Sequence, residues 1–208
     1  MFRKLLDPDN GLMIAMSQIT DCIFLSLFFL LGCIPVITVG TSFAAMYDAV
    51  YRGFRQREKN SWKRFGSAFR SNWKSGIAPT VVFLILVSLL IRGTIGLWNR
   101  AVYGELSWGL FSAGAFLAVL GLGVLSVLFP TLSRFENSFG GLLKNTLLLS
   151  LANLPRTIAL GLLNAVCGFL CARFVFPLFF LPALAALIGT LLLEPMFKPY
   201  MPKEVEED

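Results

Sequence analysis

The sequence predicts an all-α, polytopic transmembrane helical bundle, and three observations carry this prediction. Hydrophobic residues make up 56% of the 208 residues and charged residues only 14%, whereas a typical soluble domain is about 25% charged. Long apolar runs recur at residues 12–34, 77–97, 109–129 and 157–193, and a membrane helix needs about 20 such residues. The basic residues cluster between these runs. We predict one integral membrane domain over residues 1–208, with about six membrane helices in three hairpins plus interfacial amphipathic connectors.

The first hairpin is predicted over residues 12–51. Its first helix carries Gln18 and Asp21, which are three residues apart and share one face. That face should point into protein, because an aspartate near the middle of a bilayer costs about 3 kcal/mol. Pro35 ends the helix, and the β-branched corner from Pro35 through Thr38 to Gly40 leads into a second helix.

The second helix, at residues 36–51, is short for a membrane span. It is either a short, tilted return helix or a re-entrant segment. We favour the return helix, because it brings the following basic block to the same side as the N-terminal Arg3 and Lys4. Asp48 lies one turn before Arg52, so we expect an ion pair between them.

The basic connector, residues 52–76, holds eight basic residues and one acid, Glu58, up to Lys74, which gives it a net charge of +7 (eight minus one). Blocks of this kind stay on the cytoplasmic side of a membrane. Four aromatic residues follow at helical spacing and predict an interfacial helix on anionic lipid headgroups: Trp62, Phe65, Phe69 and Trp73. Nucleic acid is a much weaker interpretation beside so much apolar sequence.

The remaining segments are a second hairpin at 77–130, a second cytoplasmic connector at 131–156, a third hairpin at 157–193 and a polar tail at 194–208. Small residues between Gly114 and Gly123 favour close helix packing and offer a lateral surface for a partner. Placing every basic cluster inside puts both termini in the cytoplasm. In the second connector, Leu132, Phe135, Phe139 and Leu142 are expected to share one helical face.

The two connectors resemble each other at a constant offset of 70 residues. Arg64 and Phe65 correspond to Arg134 and Phe135, and Lys74 corresponds to Lys144. The pattern indicates either a duplicated unit of interfacial helix and hairpin or a chance similarity in a Phe-rich chain.

No catalytic or metal-binding constellation is present in the sequence. The chain has no His, none of the common nucleotide-binding or hydrolase motifs, and four cysteines that all lie in apolar runs. We therefore predict no enzymatic activity and no cofactor. An intramembrane aspartyl enzyme would need Asp21 and Asp48 to face each other, and a transport path would need buried polar residues such as Asn164. The candidate structural or functional positions are Gln18, Asp21, Pro35, Thr38, Gly40, Asp48, Arg64, Phe65, Arg134 and Phe135.

The chain resembles the YesL-like family of bacterial membrane proteins, a domain of unknown function. The resemblance lies in PVITVGTS at 35–42, in Phe65, Phe69 and Asn72, in RFENS at 134–138 and in the ending EPMFKPYMP. It implies a multi-pass protein of the bacterial plasma membrane. Genes of that family often stand beside those of sugar ABC transporters. An accessory role in carbohydrate uptake follows, with ABC permease subunits or a second copy of the chain as partner. The alternative is a small transporter or channel in its own right.

Overall fold

The computed structural model describes residues 11–55, 60–135 and 138–200, and within these ranges the chain is helical with no strand. This confirms the predicted all-α bundle. The seven α-helices of the described ranges are α1 Gly11–Cys33, α2 Val39–Val50, α3 Ser61–Val102, α4 Trp108–Arg134, α5 Phe139–Ala152, α6 Leu154–Arg173 and α7 Leu181–Phe197. Shorter helical turns lie at Val36–Thr38, Tyr51–Arg55, Phe176–Phe179 and Lys198–Tyr200.

Helix α2 is the central element of the bundle. Ten of its twelve residues are buried, because it packs against α1, α3, α4 and α7. At about 1.5 Å per residue, its twelve residues extend about 18 Å, which is less than the roughly 30 Å hydrocarbon core of a bilayer. The segment that was expected to return across the membrane is therefore a short helix enclosed by its neighbours.

Four helices are long and apolar enough to cross a membrane, among the described residues: α3, α4, α6 and the segment Leu181–Tyr200 that contains α7. They correspond to four of the six predicted membrane helices. In the first hairpin, Gln18–Cys33 is a shorter apolar helix among the residues searched, and α2 has only twelve residues. Large apolar side chains are exposed along α1, α3, α4 and α6, which is the surface that a lipid-facing bundle presents.

The corner between α1 and α2 forms at the predicted residues. Pro35 is exposed and precedes the turn Val36–Thr38. The buried Thr38 hydroxyl lies 2.7 Å from the carbonyl oxygens of both Gly32 and Pro35, so it ties the end of α1 to the turn. Gly40 is needed for packing, because a Cβ there would lie 2.1 Å from the Phe129 ring and 2.3 Å from the Thr80 hydroxyl.

Helix α3 joins two segments that the sequence predicted as separate. The aromatic segment and the following membrane helix form one helix of 42 residues. Its first part contacts the first hairpin, where Gly76 meets Thr41, and its later part contacts α4, where Leu97 meets Gly114. The interfacial-helix prediction is wrong for Phe65, which is buried and lies 6.2 Å from the Phe28 ring.

The second connector is built differently from the first. Helix α4 ends at Arg134, Phe135 has extended backbone angles, and α5 begins at Phe139 with Ser138 as its N-cap. The expected shared face of Phe135 and Phe139 is therefore wrong. In the first copy of the pattern, Arg64 and Phe65 lie inside one continuous helix, so the local structure gives no support to a duplicated unit.

The small residues of α4 pack within the chain. A Cβ at Gly123 would lie 2.1 Å from the Thr157 carbonyl oxygen, and one at Gly161 would lie 2.0 Å from the Val119 carbonyl oxygen. Helices α4 and α6 therefore cross with their backbones in contact, as small residues allow. The small residues from Gly114 to Gly123 were predicted to offer a surface for a partner. At Gly123 that surface is covered by α6 of the same chain, so the prediction is wrong there.

We expect Gly161→Ala to destabilise the protein by about 1–3 kcal/mol, because the added methyl group forces the two backbones apart. Gly93→Ala is the matched control, since nothing lies within 4 Å of a Cβ at that helical position. Thermal unfolding in detergent, followed by circular dichroism, measures both. Equal midpoints for the two variants would contradict the close crossing.

Candidate functional site

The polar site is built on two consecutive residues of the buried helix α2, Tyr47 and Asp48. Their exposed fractions are 3% and 5%. Successive residues of a helix point about 100° apart, so the two side chains meet different neighbours. Because an isolated buried charge is costly, each of them requires its own partners.

Asp48 is held by two arginines. Arg52 donates from Nε to Oδ1 at 3.0 Å, and Arg64 donates from Nε to Oδ2 at 2.8 Å. The predicted pair with Arg52 is confirmed. The Arg64 guanidinium therefore joins α3 to α2.

Tyr47 belongs to a second network that joins α2, α4 and α7. Its hydroxyl lies 2.5 Å from Glu194 Oε1, and Arg134 Nη2 lies 2.5 Å from the same oxygen. Both charged side chains are 13% exposed. The Arg134 guanidinium also lies 3.7 Å from the ring centroid of Tyr51, which adds a cation–π contact.

Arg134 was among the predicted positions, whereas Glu194 was assigned to a polar tail and was not predicted. Glu194 lies inside α7, four residues before Lys198. The available signal was an acid at the end of an apolar helix, where a carboxylate needs a basic partner. Phe135 packs edge-on against Phe197 at 5.7 Å beside this network.

The polar residues of α1 do not join the site. Gln18 is exposed and Asp21 is half-buried, while both carboxylate oxygens of Asp48 already accept hydrogen bonds from arginines. The structure therefore gives no support to a pair of facing aspartates. The site that it does form is a set of ion pairs, three arginines with two carboxylates, which joins helices.

A separate cavity of about 320 Å³ lies beside this site. Its walls are mostly apolar and include Tyr47, Phe129 and faces of α6 and α7. Three of the predicted polar positions, Asp21, Thr38 and Asp48, are outside its walls. Asn164 lines the cavity and donates to Ser126 Oγ at 3.0 Å and to the Leu160 carbonyl oxygen at 2.9 Å.

Comparison with known proteins gives one family match. The sequence profile described as "Protein of unknown function, DUF624" matches residues 22–93, and it supports the predicted YesL-like family. The matched segment contains the corner at Pro35, the buried helix α2 and both arginines that bind Asp48. No curated protein matches the chain, and no solved structure matches it.

We expect Glu194→Leu to destabilise the protein by about 3–5 kcal/mol, because Arg134 would stay buried without its carboxylate. The double variant Arg134→Met with Glu194→Leu should recover much of this loss, since it removes both charges. Unfolding midpoints of the two single variants and the double variant measure the coupling between the residues. Glu105→Leu, at an exposed acid in the loop before α4, is the matched control.

If the losses of the two single variants simply add in the double variant, Arg134 and Glu194 do not act as a pair.

Proposed function

We propose that the chain, whose residues 22–93 match a family described as "Protein of unknown function, DUF624", is a non-enzymatic accessory protein of the bacterial plasma membrane. In this proposal it assists carbohydrate uptake by binding the permease subunits of an ABC transporter. The link to carbohydrate rests on the resemblance to the YesL-like family. Two structural features support the proposal. Buried polar side chains are bonded within the chain, and exposed basic side chains of α3 form no ion pair with an acid among the described residues.

The buried polar groups support a structural role. Asp48 and Glu194 are both bonded to arginines, and the Thr38 hydroxyl bonds backbone carbonyls. Catalysis needs a nucleophile, acid or base that can reach a substrate. Groups that are engaged in joining helices are poorly placed for that task.

The docking proposal depends mainly on a basic face of α3 that is exposed and that no acid among the described residues neutralises. This basic face consists of Lys63, Arg70 and Lys74, which are exposed. None of the three forms an ion pair with an acid in the described part of the chain. Beside Arg70 and Lys74, a shallow depression lined by Phe69 and Trp73 adds aromatic surface of the kind enriched in interfaces.

The expected membrane orientation places the basic face in the cytoplasm, together with both termini. An acidic cytoplasmic surface of a permease complements it, because opposite charges steer association and fix orientation. Anionic lipid headgroups attract the same residues. Docking and lipid attraction are compatible, since a permease contact at the membrane surface is flanked by headgroups.

The alternative function is transport through the chain itself. It would need a continuous polar path, whereas the cavity has mostly apolar walls and excludes Asp21 and Asp48. The accessory role is therefore the better supported of the two.

We expect the doubly substituted Arg70→Glu, Lys74→Glu protein to lose co-purifying permease subunits after mild solubilisation, because two attractive charges become repulsive. The measurement is mass spectrometry of proteins that co-purify with the tagged chain. Arg100→Glu is the matched control, because Arg100 is exposed near the other end of α3. Raising the salt concentration should weaken the wild-type association, since salt screens exposed charges.

Unchanged recovery of permease with the doubly substituted protein would reject the basic face as the docking surface. Recovery of only its own copies would indicate self-association instead. If no transporter subunit is recovered and deletion of the gene leaves growth on plant polysaccharides unchanged, the accessory role is wrong.

The transport alternative has its own test. We expect liposomes that contain the purified protein to show the same sugar flux as protein-free liposomes, because no polar path is formed by the described residues that line the cavity. Flux above the protein-free level that disappears in Asp21→Asn would contradict the accessory proposal and place that acid in a transport mechanism.

A further inference from the structure

The cavity beside Tyr47 has the form of an elongated slot between helices. One face of α6 forms one wall, with residues at helical spacing: Leu160, Asn164, Cys167, Gly168 and Cys171. One face of α7 forms another wall in the same way: Pro182, Ala185, Ala186, Gly189 and Leu193. Each wall covers eleven residue steps, which is about 16 Å at 1.5 Å per residue. A volume of about 320 Å³ spread along walls of this length gives a slot that is much longer than it is wide.

The slot opens to the protein surface along α6. Gly168 belongs to the wall and is also exposed, and a Cβ there would meet nothing within 4 Å. The exposed residues around it are large and apolar: Leu162, Val166 and Phe169. Helix α6 is one of the helices long and apolar enough to cross a membrane. The opening therefore faces the region where hydrocarbon chains surround a membrane protein.

The walls are chemically matched to hydrocarbon. Phe29, Phe43, Phe83 and Phe129 also line the slot. Its polar side chains are Tyr47, Ser126 and Asn164, and each of them already donates a hydrogen bond within the chain. A sugar, with hydroxyl groups all around its ring, would leave most of these groups unbonded against aromatic rings.

We propose that this slot binds a single hydrocarbon chain of a membrane phospholipid, which enters laterally past Gly168. The chain lies between α6 and α7 along the eleven-residue walls, and the headgroup stays outside. Burial of methylene groups supplies the affinity, so the length of the hydrocarbon chain matters more than the headgroup. This lipid site is additional to the proposed accessory role and does not depend on it.

The test uses purified, delipidated protein and native mass spectrometry. The probes are phosphatidylglycerol with palmitoyl and oleoyl chains, phosphatidylcholine with the same chains, and phosphatidylglycerol with two hexanoyl chains. We expect both long-chain lipids to stay bound and the short-chain lipid to bind at least about tenfold less, since each methylene group adds to the binding free energy. Equal binding of the short-chain and long-chain phosphatidylglycerol would overturn the proposal.

Substitutions at Gly168 test the location. Gly168→Ala, Gly168→Leu and Gly168→Phe fill the opening progressively, and we expect progressively less bound long-chain lipid, with about a tenfold loss for Gly168→Leu. Gly93→Leu is the matched control, because a Cβ at Gly93 also meets nothing within 4 Å and Gly93 does not line the slot. If Gly168→Leu folds and retains as much lipid as Gly93→Leu, the slot is not the binding site.

Thiol labelling provides a second readout that does not require a substitution in the slot. Cys167 and Cys171 line the slot, whereas Cys22 and Cys33 do not. A protein with Cys22→Ala and Cys33→Ala retains only the two slot thiols. We expect long-chain phosphatidylglycerol to slow their reaction with N-ethylmaleimide and dihexanoyl phosphatidylglycerol to leave it unchanged. Equal rates with the two lipids would overturn the proposal.

Discussion

The requirement that organises this fold is the burial of helix α2 together with a tyrosine and an aspartate. A carboxylate away from water needs paired charges, and Asp48 obtains them from Arg52 and Arg64. Tyr47, the preceding residue, meets Glu194, whose charge is matched by Arg134. Each partner comes from a different stretch of the chain. Satisfying two adjacent polar side chains therefore fixes α3, α4 and α7 around the same short helix.

Close backbone approach is the second constraint, and it acts where side chains are smallest. Gly40 lets α2 approach Thr80 and Phe129, while Gly123 and Gly161 let α4 and α6 cross. Between helices in a membrane, contact and hydrogen bonding replace much of the hydrophobic driving force. The polar partners and the glycines act together, since ion pairs of 2.5–3.0 Å can form only where the helices come close.

Features that depend on residues close together in the chain were predicted, whereas contacts between residues far apart in the chain were not. The all-α class, the corner at Pro35 and the pair of Asp48 with Arg52 follow from hydropathy, proline chemistry and a four-residue spacing. The contact of Arg134 with Glu194 joins residues 60 positions apart, and no periodicity reports it. Phe65 was assigned to the lipid interface because an amphipathic helix has the same spacing whether its apolar face meets headgroups or another helix. In the structure, Phe65 packs against Phe28 of α1 and is buried.

The polar residues around α2 and the slot between α6 and α7 differ in the interactions that they can make with other molecules. Around α2, charges and hydroxyls are already engaged, so changes there alter stability before they alter any interaction with another molecule. Between α6 and α7 the walls are apolar and separated by a slot, and on α3 the basic face is unpaired within the described chain. A polar centre joins the helices, while the two proposed interactions, with lipid and with a protein, use different kinds of surface, one apolar and one charged.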